Sequence, residues 1–336
     1  LTLDWGKACG RVQEAVLDMV RTTRTLVALS VGEEGAMPLN PLQLNGREAV
    51  KSLDLSSKKL GPGSAAVIAA GVSVNGVLTA LDISYNKIGD EGAKAIGGAL
   101  AVNGVLTDLN LWANGIGDEG AKAIGKALAV NGVLTTLNLQ ANNIGDEGAA
   151  AFGEALAVNG VLKNLNLYNN NIRDKGVAAI AEALRGNGVL KELNLRFNSI
   201  GPTGATALAD ALKVNGVLTS LNLFSNAICG LSALGEGTYS AAGITALAEA
   251  LKVNRVLTSL NLSDNALCVL RSYDASGIQA LAEALKVNGV LTTLDISYNK
   301  IGDEGAKAIG GALAVNEVLT SLDVGWSSLT EEAALG

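Results

Sequence analysis

The stretch LTALDISYNKIGDEGAKAIGGALAVNG, residues 78 to 104, decides the fold. In Leu81, Asp82 and Ile83 apolar and polar residues alternate, the period of a strand that buries one face. Asn86 stands where the chain must leave the strand, and its amide can satisfy backbone groups that have no ladder partner. Asp90 is placed to cap a helix, with Glu91 in the first turn, where acids are favoured. Ala93, Ile96 and Leu100 then fall on one face of a three-turn helix. Asn103 and Gly104 close it, the glycine expected to supply a positive φ. One such unit cannot bury both its strand face and its helix face; copies stacked side by side can.

Copies are present. The frame L-x-x-L-x-L-x-x-N-x-I starts at Leu78, Leu106, Leu134, Leu162, Leu190, Leu218, Leu257 and Leu291, with degenerate copies at Val50 and Leu319. Starts lie 28 residues apart, except for 39 from Leu218 to Leu257 and 34 from Leu257 to Leu291. Residues 78–103 and 291–316 differ only at Ala80 and Thr293. Ten units predict one elongated α/β domain, a solenoid with a parallel sheet on its concave side and helices on its convex side. Residues 47–336 form this array, with insertions near 229–242 and 268–276. Before it, residues 1–46 are expected to be a helical cap and linker. There Val12, Val16, Met19 and Val20 predict a helix over 11–29, followed by a loop at Pro38 and Pro41. At the far end Ser327 replaces the ladder asparagine, and Glu331 and Glu332 add charge that would serve as a cap; a fragment is the alternative.

These units resemble the leucine-rich repeat superfamily, and within it the ribonuclease-inhibitor-like class of roughly 28-residue strand–helix repeats. The likeness covers about residues 47–329. It implies a horseshoe and a protein-binding role, as in the sensor arrays of NOD-like receptors and in the Ran GTPase-activating proteins. It does not name the partner, since fold alone does not fix function.

Composition narrows the chemistry. Histidine is absent, which removes Ser-His and Cys-His nucleophiles and every imidazole metal site. The 3 cysteines make neither a disulfide scaffold nor a four-thiolate site. A net charge of −7 disfavours nucleic acid, and no apolar run reaches the ~18 residues of a membrane helix. The 41 glycines include no phosphate loop. The Asp-Glu pairs at 90/91, 118/119, 146/147 and 303/304 read as helix starts rather than metal sites. No catalytic residue, metal or cofactor is expected.

Recognition is expected on the strand face. The residue between the two leucines gives a polar column, Asp54, Asp82, Asn110, Asn138, Asn166, Asn194, Asn222, Asn261, Asp295 and Asp323. The column after the second leucine holds Trp112, Tyr168, Arg196 and Phe224, and the next holds Tyr85, Phe197, Tyr298 and Trp326. Seven of the chain's 11 aromatics lie in these two columns, and Tyr239 and Tyr273 lie in the insertions. A core of small aliphatic residues does not need these rings, and exposed aromatics with arginine are the composition of binding hot spots. From Trp112 to Phe224 the columns predict a span of roughly 19 Å. The stretch 163–196 is locally basic through Lys163, Arg173, Lys175, Arg185, Lys191 and Arg196 against three acids. The expected partner is therefore a protein with an acidic, apolar-studded surface. Cys229 and Cys268 occupy equivalent positions, open to a disulfide or to two small buried side chains; Cys9 has no evident mate.

The function expected is a non-catalytic scaffold that recognises a protein through the concave face and the insertion rim, including the case of a subunit in a larger assembly. The alternatives are a GTPase activator of the Ran-activator type and a sensor fragment of a NOD-like receptor. The compartment expected is the cytoplasm, with an organelle the alternative because the chain starts at Leu1.

Overall fold

The computed structural model describes residues 2–3, 10–31, 38–231, 236–268 and 274–327. By its contacts the chain divides into two compact units, Leu1–Asn166 and Leu167–Gly336. The first opens with β1 (Thr2–Leu3), α1 (Gly10–Thr22), β2 (Ser30–Val31) and α2 (Pro41–Leu44). It continues as β3 (Ser52–Asp54), α3 (Pro62–Val72), β4 (Ala80–Asp82), α4 (Gly89–Leu100), β5 (Asp108–Asn110), α5 (Asp118–Leu128), β6 (Thr136–Asn138), α6 (Asp146–Leu156) and β7 (Asn164–Asn166). The second runs α7 (Asp174–Leu184), β8 (Glu192–Asn194), α8 (Pro202–Leu212), β9 (Ser220–Asn222) and α9 (Ala242–Val253). It ends with β10 (Ser259–Asn261), α10 (Ser276–Leu285), β11 (Thr293–Asp295), α11 (Gly302–Leu313) and β12 (Ser321–Asp323).

Each unit is a segment of solenoid. In the first, β3 to β7 pair in parallel with Leu53, Leu81, Leu109, Leu137 and Leu165 in register. In the second, β8 to β12 do the same with Leu193, Leu221, Leu260, Leu294 and Leu322. The core lies between strands and helices: Leu81, Ile83, Ala93, Ile96 and Leu100 are all buried, as their spacing predicts. Phe152, on the inner face of α6, is fully buried where α4 and α5 carry Ile96 and Ile124. Close helix stacking sets side-chain size. A Cβ on Gly97 would lie 2.8 Å from the Ala123 carbonyl oxygen, so α4 and α5 meet only because that position is glycine.

Two asparagine ladders tie successive repeats. Asn86 Nδ2 donates to the carbonyls of Leu55, Ile83 and Ser84, while its Oδ1 accepts from the Lys58 and Leu60 N–H groups. At the helix end, Asn103 Nδ2 donates to Val72 O and Asn75 O, and its Oδ1 accepts from Val105 and Leu106. This corrects the expectation for Gly104, which does not take a left-handed φ. The asparagine side chain stops the helix, so no left-handed residue is needed.

A second correction concerns Asp90. It does not cap its own helix, which starts at Gly89. Its Oδ1 instead accepts from Gly117 N at 2.7 Å and Gly120 N at 2.9 Å, at the start of α5 one repeat on. Asp118 does the same for Gly145 and Gly148, and Asp174 for Gly201 and Gly204. Each carboxylate thus meets the positive end of its neighbour's helix. A Cβ on Gly120 would lie 2.8 Å from both Asp90 Oδ1 and Ala93 Cβ, which explains the invariant glycine of that turn.

The N-terminal helix is also shorter than the 11–29 span predicted. It ends at Thr22, whose hydroxyl donates to Asp18 O, while the Thr23 hydroxyl accepts from Leu26 N. Such side-chain bonds compete with helical ones. Asn45 Nδ2 then holds the end by donating to Val20 O and Thr23 O.

Candidate protein-binding face

On the strand side the backbone explains the columns. Buried leucines point inward, so the alternating residues point out. Past the strand ends the ladder continues for three more residues; Tyr85 N, for instance, donates to Trp112 O, and Phe197 N to Phe224 O. The chain then turns sharply. In all ten repeats the residue before the ladder position, which holds asparagine in eight repeats, Lys58 in the first and Ser327 in the last, has a left-handed φ of 50° to 58°: Ser57, Tyr85, Ala113, Ala141, Asn169, Phe197, Ser225, Asp264, Tyr298 and Trp326. Left-handed backbone costs an ordinary L-residue roughly 1–2 kcal/mol, and small or Asx residues bear it best. Four repeats place a bulky ring there. Tyr85, Phe197, Tyr298 and Trp326 are nonetheless 50%, 39%, 50% and 79% exposed, so burial gives back little of that cost.

The rings form three groups. In the first unit Tyr85 and Trp112 meet with centroids 4.2 Å apart. In the second, Tyr168 and Phe197 lie 5.6 Å apart, Phe197 and Phe224 5.1 Å apart edge to face. Arg196 sits among these three: its guanidinium carbon is 5.1 Å from the Tyr168 ring centre, 5.2 Å from Phe197 and 4.2 Å from Phe224. Towards the end of the same unit Tyr298 stacks on Trp326 at 5.9 Å. Tyr168, Arg196, Phe224 and Trp112 are half-buried. Tyr239 turns inward, its hydroxyl donating to Leu267 O at 3.0 Å, and is half-buried. Burial raises its pKa well above the ordinary phenol value. Tyr273 lies outside the described residues. The first insertion closes on itself through an antiparallel bridge between Leu231 and Gly237.

The polar floor has its own order. Asp82 Oδ2 accepts from Asn110 Nδ2, and Asp295 Oδ2 accepts from Asn261 Nδ2. Asn194 and Asn222 accept through Oδ1 from the N–H groups of Arg196 and Phe224, at 3.1 and 3.0 Å, as Asn110, Asn138 and Asn261 do in their own repeats. Each amide nitrogen is then a donor on the side away from that bond. Their identity as asparagine rather than aspartate was visible in the sequence, but the bond from the backbone to Oδ1 was not. On the strand's opening edge the threonine hydroxyls run a second ladder, for example Thr107 to Thr79 O and Thr258 to Thr219 O. Lysine at 163 and 191 lacks that hydroxyl and is exposed.

Cys229 and Cys268 are free thiols, both buried. Burial pushes them up to about 12 and about 11 respectively. Sequence reasoning missed one surface altogether. Val74, Val102, Val130 and Val158 in the first unit, and Val214, Val253, Val287 and Val315 in the second, are exposed at the helix ends. A valine before the helix-stopping asparagine in eight repeats, with Gly186 before Asn187 as the exception, was the available signal. No described helix is long and apolar enough to cross a membrane.

A Leucine Rich repeat family model matches residues 74–97, 102–125, 130–153, 158–181, 186–209, 253–267 and 287–310. No protein of curated function matches the chain by sequence. Among solved structures, the actin-binding site 2 of leiomodin-1 is 24% identical, with a TM-score of 0.40, over 51% of this chain and 88% of that one. The yeast Rad7 and Elc1 complex gives 17% identity and a TM-score of 0.43, over 84% of this chain and 71% of its own.

Proposed function

The chain belongs to the leucine-rich repeat superfamily, and we propose that it is a non-catalytic scaffold whose strand face grips another protein, with the insertion rim as a second grip. One observation carries the reading: rings stand at left-handed positions where asparagine, serine or alanine serve other repeats, and they remain exposed. Local stability would select against them, so another requirement keeps them. Binding is that requirement, because exposed aromatics around an arginine supply large, rigid contact area.

The test is a crosslinking scan. A photo-crosslinking residue is placed singly at Tyr168, Phe224 or Trp326, and in separate variants at Lys126 or Glu154 on the helix side. Each variant is irradiated in extract from the native source. Adducts with one recurrent protein should form from the strand-face positions and not from the helix positions. Adducts confined to the helix side would remove this reading.

A further inference from the structure

We propose that the Arg196 cluster receives carboxylates of an acidic, apolar-flanked peptide segment in the partner; this rests on the strand-face reading above. Three observations converge on one part of the second unit. Arg196 has no carboxylate within ion-pair distance among the described residues. Its Nε is buried without a hydrogen-bond partner. Such an N–H costs free energy until something accepts from it, and the three surrounding rings keep water from one side of the cation.

The floor beneath it carries two amides, Asn194 and Asn222, with the exposed Glu192 at the far end of β8. The Oδ1 atoms of Asn194 and Asn222 each accept one backbone N–H. Their amide nitrogens stand beside a guanidinium that can only donate. Two repeats further on the same column changes sign, with Asp295 and then Asp323. From Leu167 to Arg196 five basic residues stand against three acids, in a chain of net charge −7. A cation without a counter-ion, holding a buried N–H that nothing accepts from, selects an anion. Tyr168, Phe197 and Phe224 give that anion an apolar neighbour, which a peptide carrying Asp or Glu beside Leu or Ile provides and a free ion does not. A planar guanidinium suits a carboxylate through two parallel bonds.

The repeats themselves supply a variant that should fold. Aspartate occupies the Asn222 position in other repeats, where Asp82 Oδ1 accepts from Ser84 N just as Asn222 accepts from Phe224 N. Asn222→Asp therefore keeps the turn and replaces a donor with a negative charge. A random linear peptide library is selected on the immobilised full chain. The recovered peptides are synthesised with a fluorescent label, alongside twins in which every Asp and Glu becomes Asn and Gln. Binders should be enriched in acids beside apolar residues. Their neutral twins, and the Asn222→Asp and Arg196→Gln proteins, should each bind at least about tenfold more weakly. Twins that bind as well as the parents, or variants that bind acidic peptides unchanged, overturn the carboxylate assignment while ring dependence leaves the docking face standing. Peptides indifferent to Tyr168→Gln and Phe224→Ser overturn both. Arg196-dependent binding of a labelled single-stranded oligonucleotide, with no acidic peptide recovered, overturns the choice of a peptide partner.

Discussion

Trp326 shows at the level of one residue how stability and recognition part. Its φ is 54°, its side chain is 79% exposed, and its one ring contact is a stack on Tyr298. Asn169 holds the same frame position at φ 55°. Trp326→Asn should therefore raise the stability of the second unit by about 1 kcal/mol, since asparagine enters left-handed backbone at lower cost. Chemical denaturation with an unchanged slope would measure it. A loss of stability instead would mean that the indole is held by the fold and is not kept for a partner. The column of Trp112, Tyr168 and Phe224 was legible before any coordinates, because a period-two strand fixes which residues face outward; the next column faces outward through its left-handed turn. The inward turn of Tyr239 was not, because an insertion has no period to read.

At the level of elements, the starts of α5, α6 and α8 depend on a carboxylate of the preceding repeat. Asp118 accepts from Gly145 N and Gly148 N at 2.7 and 2.8 Å. Asp118→Ala should cost about 1–2 kcal/mol, the worth of a good helix cap, and Asp118→Asn should recover much of it. Equal unfolding midpoints for Asp118→Ala and the parent would refute trans-repeat capping. This cap was misread from sequence for a physical reason. Within one unit Asp90 stands beside its own helix start, whereas its donors are 27 and 30 residues away and come near only after stacking. The same holds for Asn103, whose acceptors belong to the previous repeat.

The thiols before α9 and α10 give a second prediction at this scale. Folding raises Cys229 to about 12 and Cys268 to about 11 from an ordinary value of 9.0, because burial penalises the thiolate. Unfolded chains then ionise first. The contribution to stability is whole below about pH 9 and is lost as pH rises toward the folded values. At pH 8 a thiol reagent should leave both cysteines unmodified in the folded chain and label both in denaturant, as peptide mapping would show. Rapid labelling of either in the native state would contradict their burial.

For the whole molecule, the fold was the most legible part of the sequence. A frame that returns ten times fixes strand, turn and helix together, because each copy must satisfy the same neighbours. The site was legible only as a set of columns. The grouping of Arg196 with Tyr168, Phe197 and Phe224 depends on side-chain directions across three repeats, and the bonds of Asn194 and Asn222 to the backbone are hydrogen bonds that one-dimensional spacing does not contain.

The repeats also provide their own controls. Gln140, Ala141 and Ser263 occupy, in other copies, the positions of Tyr168, Phe197 and Phe224. The triple variant Tyr168→Gln, Phe197→Ala, Phe224→Ser therefore changes the face while keeping residues the frame already accepts. The decisive measurement is its affinity for the protein recovered by strand-face crosslinking, set beside its unfolding midpoint. A loss of at least about a hundredfold in affinity with the midpoint nearly unmoved is the predicted result. Parental affinity in the triple variant would contradict the claim that these rings are kept to bind.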